Sequence, residues 1–465
     1  MNSYESDRPR RRSAAILFLL ILVIGGAAAG VWYLGPRFES EPPQVAMKPD
    51  TDALGVAPVE ITISDKGSGL KSIEIKLGEA TIASERFESP IKDKTFSVAA
   101  AKLPGIKEGA TTLRVVARDA SLFRGNEATV QKNLTIDVTP PTINLVADDR
   151  YVNFGGVGAI VYQPSPDTVT SGVRIGSHFF PGAKGVIKDH PERFFALFAH
   201  AYDVPQNAKA LLVATDKAGN TREMPIAYEL KDFRYRKSTI MLGDGFLQTK
   251  VTPLVADAAA RNGSPKDVFI AVNKKLRKEN EDKITEITRK ASPSILWKGA
   301  FVQLSNSKVE ANFADHRTYV YNGEPVDSAY HLGYDLSVTK RYPVEAANSG
   351  AVVFAGDLGI YGNTVILDHG IGLFTLYSHL SQISVKPGDQ VEKKQILGNT
   401  GETGLAAGDH LHYGVYLHGV AILPVEWWDA KWIEDNITPK LAGMSGDAIH
   451  EAQQPTRASR AKRKR

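Results

Sequence analysis

Four histidines and one aspartate stand in three short clusters: His331-Leu-Gly-Tyr-Asp335, Tyr377-Ser-His379-Leu380 and His410-Leu-His412. Imidazole nitrogens and a carboxylate suit zinc, and a catalytic zinc takes three protein ligands while leaving a position for water. Two histidines are then left for proton transfer, where an imidazole titrating near neutrality works best. The constellation points to a metal-dependent hydrolase. The chain has no cysteine, so thiolate sites and disulfide staples are excluded and the ligands have to be His, Asp or Glu. A helical His-Glu-x-x-His site is also absent from the sequence.

Spacing constrains what these residues can share. On an extended strand, positions i and i+4 lie about 13 Å apart, so His331 and Asp335 reach one ion only if the chain bends between them. Gly333 permits such a bend, which makes a curved segment a structural expectation. His410 and His412 point the same way on a strand, with Cα atoms about 6.5 Å apart. One can hold the metal while the other reaches the reacting carbonyl, and spacing alone does not say which. The remaining histidines read as structural: His178, His190, His200 and His450 as core residues, His369 and His418 as members of no cluster. His316 is a candidate for a groove wall, and Trp427, Trp428 and Trp432 are candidates either for that wall or for packing.

The elements that position these clusters follow from the rest of the chain. With 465 residues, the protein is too long for one core and suggests about three domains. Hydrophobic residues make up 43% and charged residues 23%, the balance of an ordinary globular protein. A formal charge of +4 gives no case for nucleic acid as a partner.

Residues 13–36 carry no charge and follow Arg8, Arg10, Arg11 and Arg12 in a basic segment, 1–12. About 20 apolar residues cross a bilayer, and the positive-inside bias leaves the N-terminus cytoplasmic. Residues 13–36 are thus expected to form a transmembrane signal-anchor in the bacterial inner (cytoplasmic) membrane, with the bulk of the chain in the periplasm or extracytoplasmic space. A cleaved signal peptide is the competing reading, on account of Ala27-Ala28-Ala29.

After a linker at 37–55, period-two runs begin. Ile61 and Ile63 alternate with polar residues, a Gly/Asp/Ser turn follows, and Ile73, Ile75 and Leu77 alternate again. Two β-sandwich modules are expected, at 56–139 and 140–232. They share an echo: Ala117-Arg-Asp119 with Gly125-Asn126, and Ala214-Thr-Asp216 with Gly219-Asn220. This resembles the tandem immunoglobulin-like modules of bacterial surface proteins, which implies a spacer or a module that docks cell wall or an envelope protein partner.

Between 243 and 296 the period becomes helical. Ser264-Pro265-Lys266-Asp267 is a helix start, with an N-cap serine and proline at the first helical position. Phe269, Val272 and Leu276 line one face, and Ile284, Ile287 and Ala291 a face further on. Lys274 to Lys283 between them is almost wholly charged, a solvated face or an arm that covers the catalytic groove. A β-rich region with many glycines occupies 297–434, and a polar, basic tail at 441–465 lacks the apolar residues to fold.

The region from Val326 to Trp428 resembles the lysostaphin-type (LytM-like) zinc metallopeptidases that cut peptidoglycan peptides. The family's His-x-Gly-x-Asp, Tyr-x-His-Leu and His-x-His are His331–Asp335, Tyr377–Leu380 and His410–His412. Pro343-Val344, Gly350-Ala-Val352, Gly362-Asn-Thr-Val365, Pro387-Gly388-Asp389 and Gly398-x-x-Gly401-x-x-Gly404 stand in the family's order between them. The resemblance implies that His331, Asp335 and His412 bind Zn2+ and that His379 and His410 are the catalytic pair. It further implies a membrane-anchored endopeptidase that hydrolyses amide bonds in peptidoglycan peptide cross-links during wall remodelling. The family also includes members that have lost metal ligands and activate cell-wall amidases, and all five positions are filled here. One departure follows His412, where Tyr413-Gly414-Val415 replaces the aromatic and Glu found in many members. The overall expectation is a mainly β protein: transmembrane helix, two sandwich modules, helical connector and C-terminal metallopeptidase domain.

Overall fold

The computed structural model describes residues 10–35, 38–122, 125–257 and 261–453. Much of the basic N-terminal segment and of the basic tail lies outside these residues, as does the side chain of His450. The apolar N-terminal stretch forms a helix, Arg10–Leu34. Among the described residues, however, no helix is long and apolar enough to cross a membrane. The span expected over 13–36 is therefore not met among the described residues. A span needs about 20 apolar residues.

The chain divides into two compact units, Met1–Pro141 with Thr215–Thr221, and Thr142–Ala214 with Arg222–Arg465. In the first, a three-stranded sheet (Gln44–Lys48, Val59–Ser64, Asp93–Val98) and a five-stranded sheet enclose one apolar cluster. Strand side chains alternate between faces, so the period-two residues Ile61, Ile63, Ile73, Ile75 and Leu77 all end in that core. The echoed turns form matching hydrogen-bond sets. Asp119 Oδ1 accepts from the backbone N–H of Ser121 and Asn126, and Asn126 Nδ2 donates to the carbonyl of Glu39. Asp216 Oδ1 accepts from the N–H of Ala218 and Asn220, and Asn220 Nδ2 donates to the carbonyl of Asp137. In each case a buried aspartate accepts from the backbone that follows it while the asparagine clamps the segment that leads into a module.

In the second unit, two four-stranded sheets built from residues 143–226 precede the helical region. The core does not stop at residue 232. One apolar cluster runs from Ala147 through Phe198, Phe269 and Phe313 to Trp427 and Ile449. The buried Glu426 carboxylate, reached by Asn153 Nδ2 at 2.7 Å and by the N–H of Val157 at 2.8 Å, ties the start of this unit to its end.

The helix start works as its residues imply: helix Pro265–Ile270 is capped by Ser264, whose Oγ accepts from the N–H of Asp267 at 3.2 Å. Phe269, Val272 and Ile284 are buried, while Leu276, Ile287 and Ala291 pack partly against the same core.

An eight-stranded sheet carries the histidine clusters. Its strands in chain order are β1 (Lys308–Ala311), β2 (Tyr334–Ser337), β3 (Gly350–Asp357), β4 (Asn363–Gly370), β5 (Leu373–Ser378), β6 (Gln390–Val391), β7 (Leu411–Leu417) and β8 (Val420–Ile422). They lie in the order β1-β2-β7-β5-β4-β3-β6, with β8 on β7. Both β5 and β7 are buried along their whole length, which gives the site a rigid floor. Beside it lies a three-stranded sheet in which Asp315–Tyr321 runs parallel to Lys237–Leu242 and antiparallel to Glu324–His331. Trp427 is fully buried and meets Trp297 edge-on at 5.6 Å, so it packs the core rather than the groove.

Candidate metal centre

Strand register brings the clusters together. Asp335 on β2 stands directly across from His412 on β7, and His412 is also opposite Ser378, the residue before His379. His331 closes the strand Glu324–His331, and the chain breaks at Leu332-Gly333 before β2 begins. That break is the bend the i, i+4 spacing requires, and it sets His331 Nε2 2.8 Å from Asp335 Oδ1.

Three donor atoms converge. His331 Nε2 lies 2.9 Å from His412 Nδ1, and His412 Nδ1 lies 3.0 Å from Asp335 Oδ1. Donors about 2.0–2.1 Å from one tetrahedral ion stand roughly 3.3 Å apart, close to this triangle. The Nδ1 of His331 donates to the carbonyl of Asn312 at 3.0 Å, which fixes the tautomer and leaves the Nε2 lone pair for a metal. The set therefore fits a zinc ion held by two imidazoles and one carboxylate oxygen. It is one of three acidic or histidine groups of ligand-like geometry among the described residues, and the one that contains histidine.

The other two histidines flank this triangle. The ring of His379 lies 4.8 Å from that of His410 and 5.8 Å from that of His412, and His410 Nε2 lies 3.5 Å from Asp335 Oδ1. Each donates its Nδ1–H to a carbonyl at 2.8 Å, His379 to Thr403 and His410 to Gly408. Both Nε2 atoms are thereby left as the proton-exchanging positions. His379 is held with φ +63, in the left-handed region, and its N–H donates to the Tyr361 carbonyl at 2.9 Å. Non-glycine residues in that region concentrate at functional sites.

Electrostatics separates the groups. Burial favours the neutral Asp335 carboxyl, but the surrounding His331, His410 and His412 outweigh it and hold its pKa well below the ordinary carboxylate value. Burial, with His410 and His412 adding to it, drives His379 well below the usual imidazole range, so it stands neutral. Burial lowers His410 too, yet its contact with Asp335 prevails and raises its pKa.

All five residues line one cavity of about 760 Å³, joined by Phe246, Phe269 and Arg277 of the helical region. That volume lies within the range of small-molecule and peptide sites. His316 is not among the lining residues; its ring lies 4.8 Å from that of Tyr330, tilted at 58°. His369 is buried, with Nδ1 donating to the Ser349 carbonyl and Nε2 bonded to Thr375 Oγ1, both at 2.7 Å. The sequence reading missed Arg317, which reaches Asp335 Oδ2 at 3.1 Å. The one available signal was its place in Asp315-His316-Arg317, a charged triplet at the head of a strand.

Comparison with known proteins places this geometry. Residues 329–424 match peptidase family M23, so the chain carries an M23 peptidase domain there. The DD-carboxypeptidase/endopeptidase Mpg of Neisseria meningitidis is 39% identical over 95 residues, 20% of this chain and 22% of that protein. The peptidoglycan DD-endopeptidase ShyA of Vibrio cholerae is 35% identical over 117 residues, 25% of this chain and 26% of its own length. Among solved structures, the catalytic domain of the antimicrobial peptidase lysostaphin from Staphylococcus simulans is 30% identical, with 28% of this chain and 98% of that domain covered at a TM-score of 0.24. The matched region thus spans about a quarter of the length of the curated relatives.

Proposed function

We infer from the M23 domain at residues 329–424 that this protein is a zinc-dependent endopeptidase acting on the peptide cross-links of peptidoglycan. The observation that carries the reading is the convergence of His331 Nε2, Asp335 Oδ1 and His412 Nδ1 beside two further histidines in one cavity. The names of the relatives support peptidoglycan as the substrate.

His331, Asp335 and His412 would hold a zinc ion, which would supply Lewis acidity towards a scissile carbonyl and lower the pKa of water. The chain's own residues do the rest. A neutral imidazole Nε2, at His379 or His410, takes the proton from the attacking water. The partner, protonated, donates to the developing oxyanion and then to the leaving amine. The buried strands β5 and β7 fix both rings against the metal ligands, so little reorganisation accompanies the reaction.

Residues 13–36 serve in this reading as an anchor in the inner (cytoplasmic) membrane, with the peptidase domain in the periplasm. The sandwich modules are read as immunoglobulin-like spacers or, alternatively, as modules that dock cell wall or an envelope protein. A non-catalytic activator is the rival, and the filled donor set argues against it. Purified sacculi digested by the protein, with muropeptides read by mass spectrometry, test the proposal. Loss of cross-linked dimers that disappears with His331→Ala or a chelator supports it. Intact cross-links with stoichiometric zinc bound would instead favour the activator.

A further inference from the structure

We infer that Arg317 is a positioning residue that confines Asp335 to a single donor oxygen, and that the peptidase site is therefore completed by chain outside the M23 match. The inference rests on the metallopeptidase reading and deepens it.

The two oxygens of Asp335 have separate partners. Oδ1 faces the imidazoles, at 2.8 Å from His331 Nε2 and 3.0 Å from His412 Nδ1. Oδ2 accepts from a terminal nitrogen of Arg317 at 3.1 Å. A carboxylate with both oxygens free can turn to bind an ion through both, which fills the position that a catalytic zinc keeps for water and substrate. With Oδ2 bonded to a guanidinium, that turn costs a charge-assisted hydrogen bond. The ion stays open.

Arg317 is itself held. Its Nε lies 3.5 Å from Asp315 Oδ2, and the Asp315 carboxylate, almost fully buried, accepts from Ser238 Oγ with 2.8 Å to each oxygen. A chain of polar contacts thus runs Ser238 to Asp315 to Arg317 to Asp335, with an ion pair rather than a hydrogen bond between Asp315 and Arg317 Nε. It follows the strand pairing, since Ser238 pairs with Arg317 across the parallel ladder and Asp315 pairs with His331 across the antiparallel one. The guanidinium fork suits the task because separate nitrogens address the two carboxylates, whereas a lysine offers one point charge. It also screens Asp315 from Asp335, two buried acids that would otherwise repel. Ser238, Asp315 and Arg317 all precede residue 329, where the family match begins. Strands Lys237–Leu242 and Asp315–Tyr321 are in this light a buttress of the site, not a connection leading to it.

The test is metal replacement in the full chain, comparing wild type with Arg317→Gln and Arg317→Lys. Cobalt(II) in place of zinc reports coordination number, because four-coordinate ions absorb visible light far more strongly than five-coordinate ones. Wild type is expected to give intense bands. Arg317→Gln is expected to give weak bands and about 10–100-fold lower metal affinity, the range for loss of an outer-shell partner. Arg317→Lys should fall between, with partial recovery of both. Wild-type band intensity and affinity in both variants would overturn the inference and leave the peptidase reading standing. A wild type that takes up no cobalt would overturn both. Should the glutamine variant fail to fold, the lysine variant decides alone: unchanged bands refute the inference and weakened bands support it.

Discussion

The imidazole of His412 lies directly over the α-carbon of Gly333: a methyl group there would come within 2.7 Å of His412 Cε1 and Nε2 and 2.6 Å of the Tyr413 carbonyl. The glycine of the His-x-Gly-x-Asp motif is therefore needed for space rather than for backbone freedom. Its neighbours are backbone and a packed ring, neither of which can retreat cheaply. Gly333→Ala is predicted to displace the ring, destabilise the fold by about 1–3 kcal/mol and release the metal. A misplacement of about 1 Å at a catalytic centre costs on the order of 100-fold in rate. Thermal melts beside metal content decide the matter; an alanine variant with full metal and full activity would contradict the packing argument.

Metal binding and proton transfer should separate by mutation. His331 and His412 supply nitrogens to the donor triangle, whereas His379 and His410 stand beside it with Nε2 free of hydrogen bonds to carbonyls. His331→Ala and His412→Ala are expected to lose zinc and activity together. His379→Ala and His410→Ala should retain zinc and lose about 10²–10⁴-fold in peptide hydrolysis, the usual worth of a general acid or base. Elemental analysis of each variant beside muropeptide release makes the comparison. Loss of zinc in His379→Ala would move that residue into the ligand set.

Stability should fall with acid, and His369 is a named cause. Burial drives its pKa down to about 4 from the ordinary 6.5, so the folded state holds it neutral. A base whose folded pKa is depressed contributes stability that is fully present above its unfolded pKa and is lost as pH falls. The window runs from about 6.5 down to 4, and the shift corresponds to roughly 3 kcal/mol. Urea midpoints between pH 7 and pH 4 should drop for the wild type. His369→Gln should be weaker at pH 7 yet show a shallower slope, and parallel curves would exonerate the residue.

The site was legible in the sequence because each cluster is local. His331 and Asp335, and His410 and His412, carry their spacing on the chain. Arg317 was not legible, because it reaches Asp335 through pairing of strands that no short motif records. Gly333 was read as a bend and does mark a break between strands, but the ring above it belongs to β7, some eighty residues on in the motif order. Period-two reading found the core at Ile61, Ile63, Ile73 and Ile75 because those strands have one wet face. On β5 and β7 both faces are buried, so alternation vanishes and only a buried run remains. The charged run at 274–283 hid Asn280 in the same way, since one buried polar side chain does not disturb a hydrophilic pattern.

Asn280 gives the helical region a measurable hold on the catalytic site. It is buried, and its Oδ1 accepts from the backbone N–H of Ile360 at 2.9 Å. The next residue, Tyr361, accepts the His379 N–H through its carbonyl at 2.9 Å and sets its ring 5.6 Å from that of His412. Asn280→Ala leaves the Ile360 N–H buried without that acceptor, a loss of about 1–3 kcal/mol. Loosening that turn should also slow peptide hydrolysis while zinc content stays unchanged, because the metal ligands are anchored elsewhere, His331 at the end of the strand Glu324–His331, Asp335 on β2 and His412 on β7. Deleting residues 243–291 is a poorer probe, since it strips Phe269, Val272 and Ile284 from the shared core. If Asn280→Ala hydrolyses peptides faster than wild type at equal stability, the helix restrains the site rather than supporting it, and the charged arm is a cover over the groove.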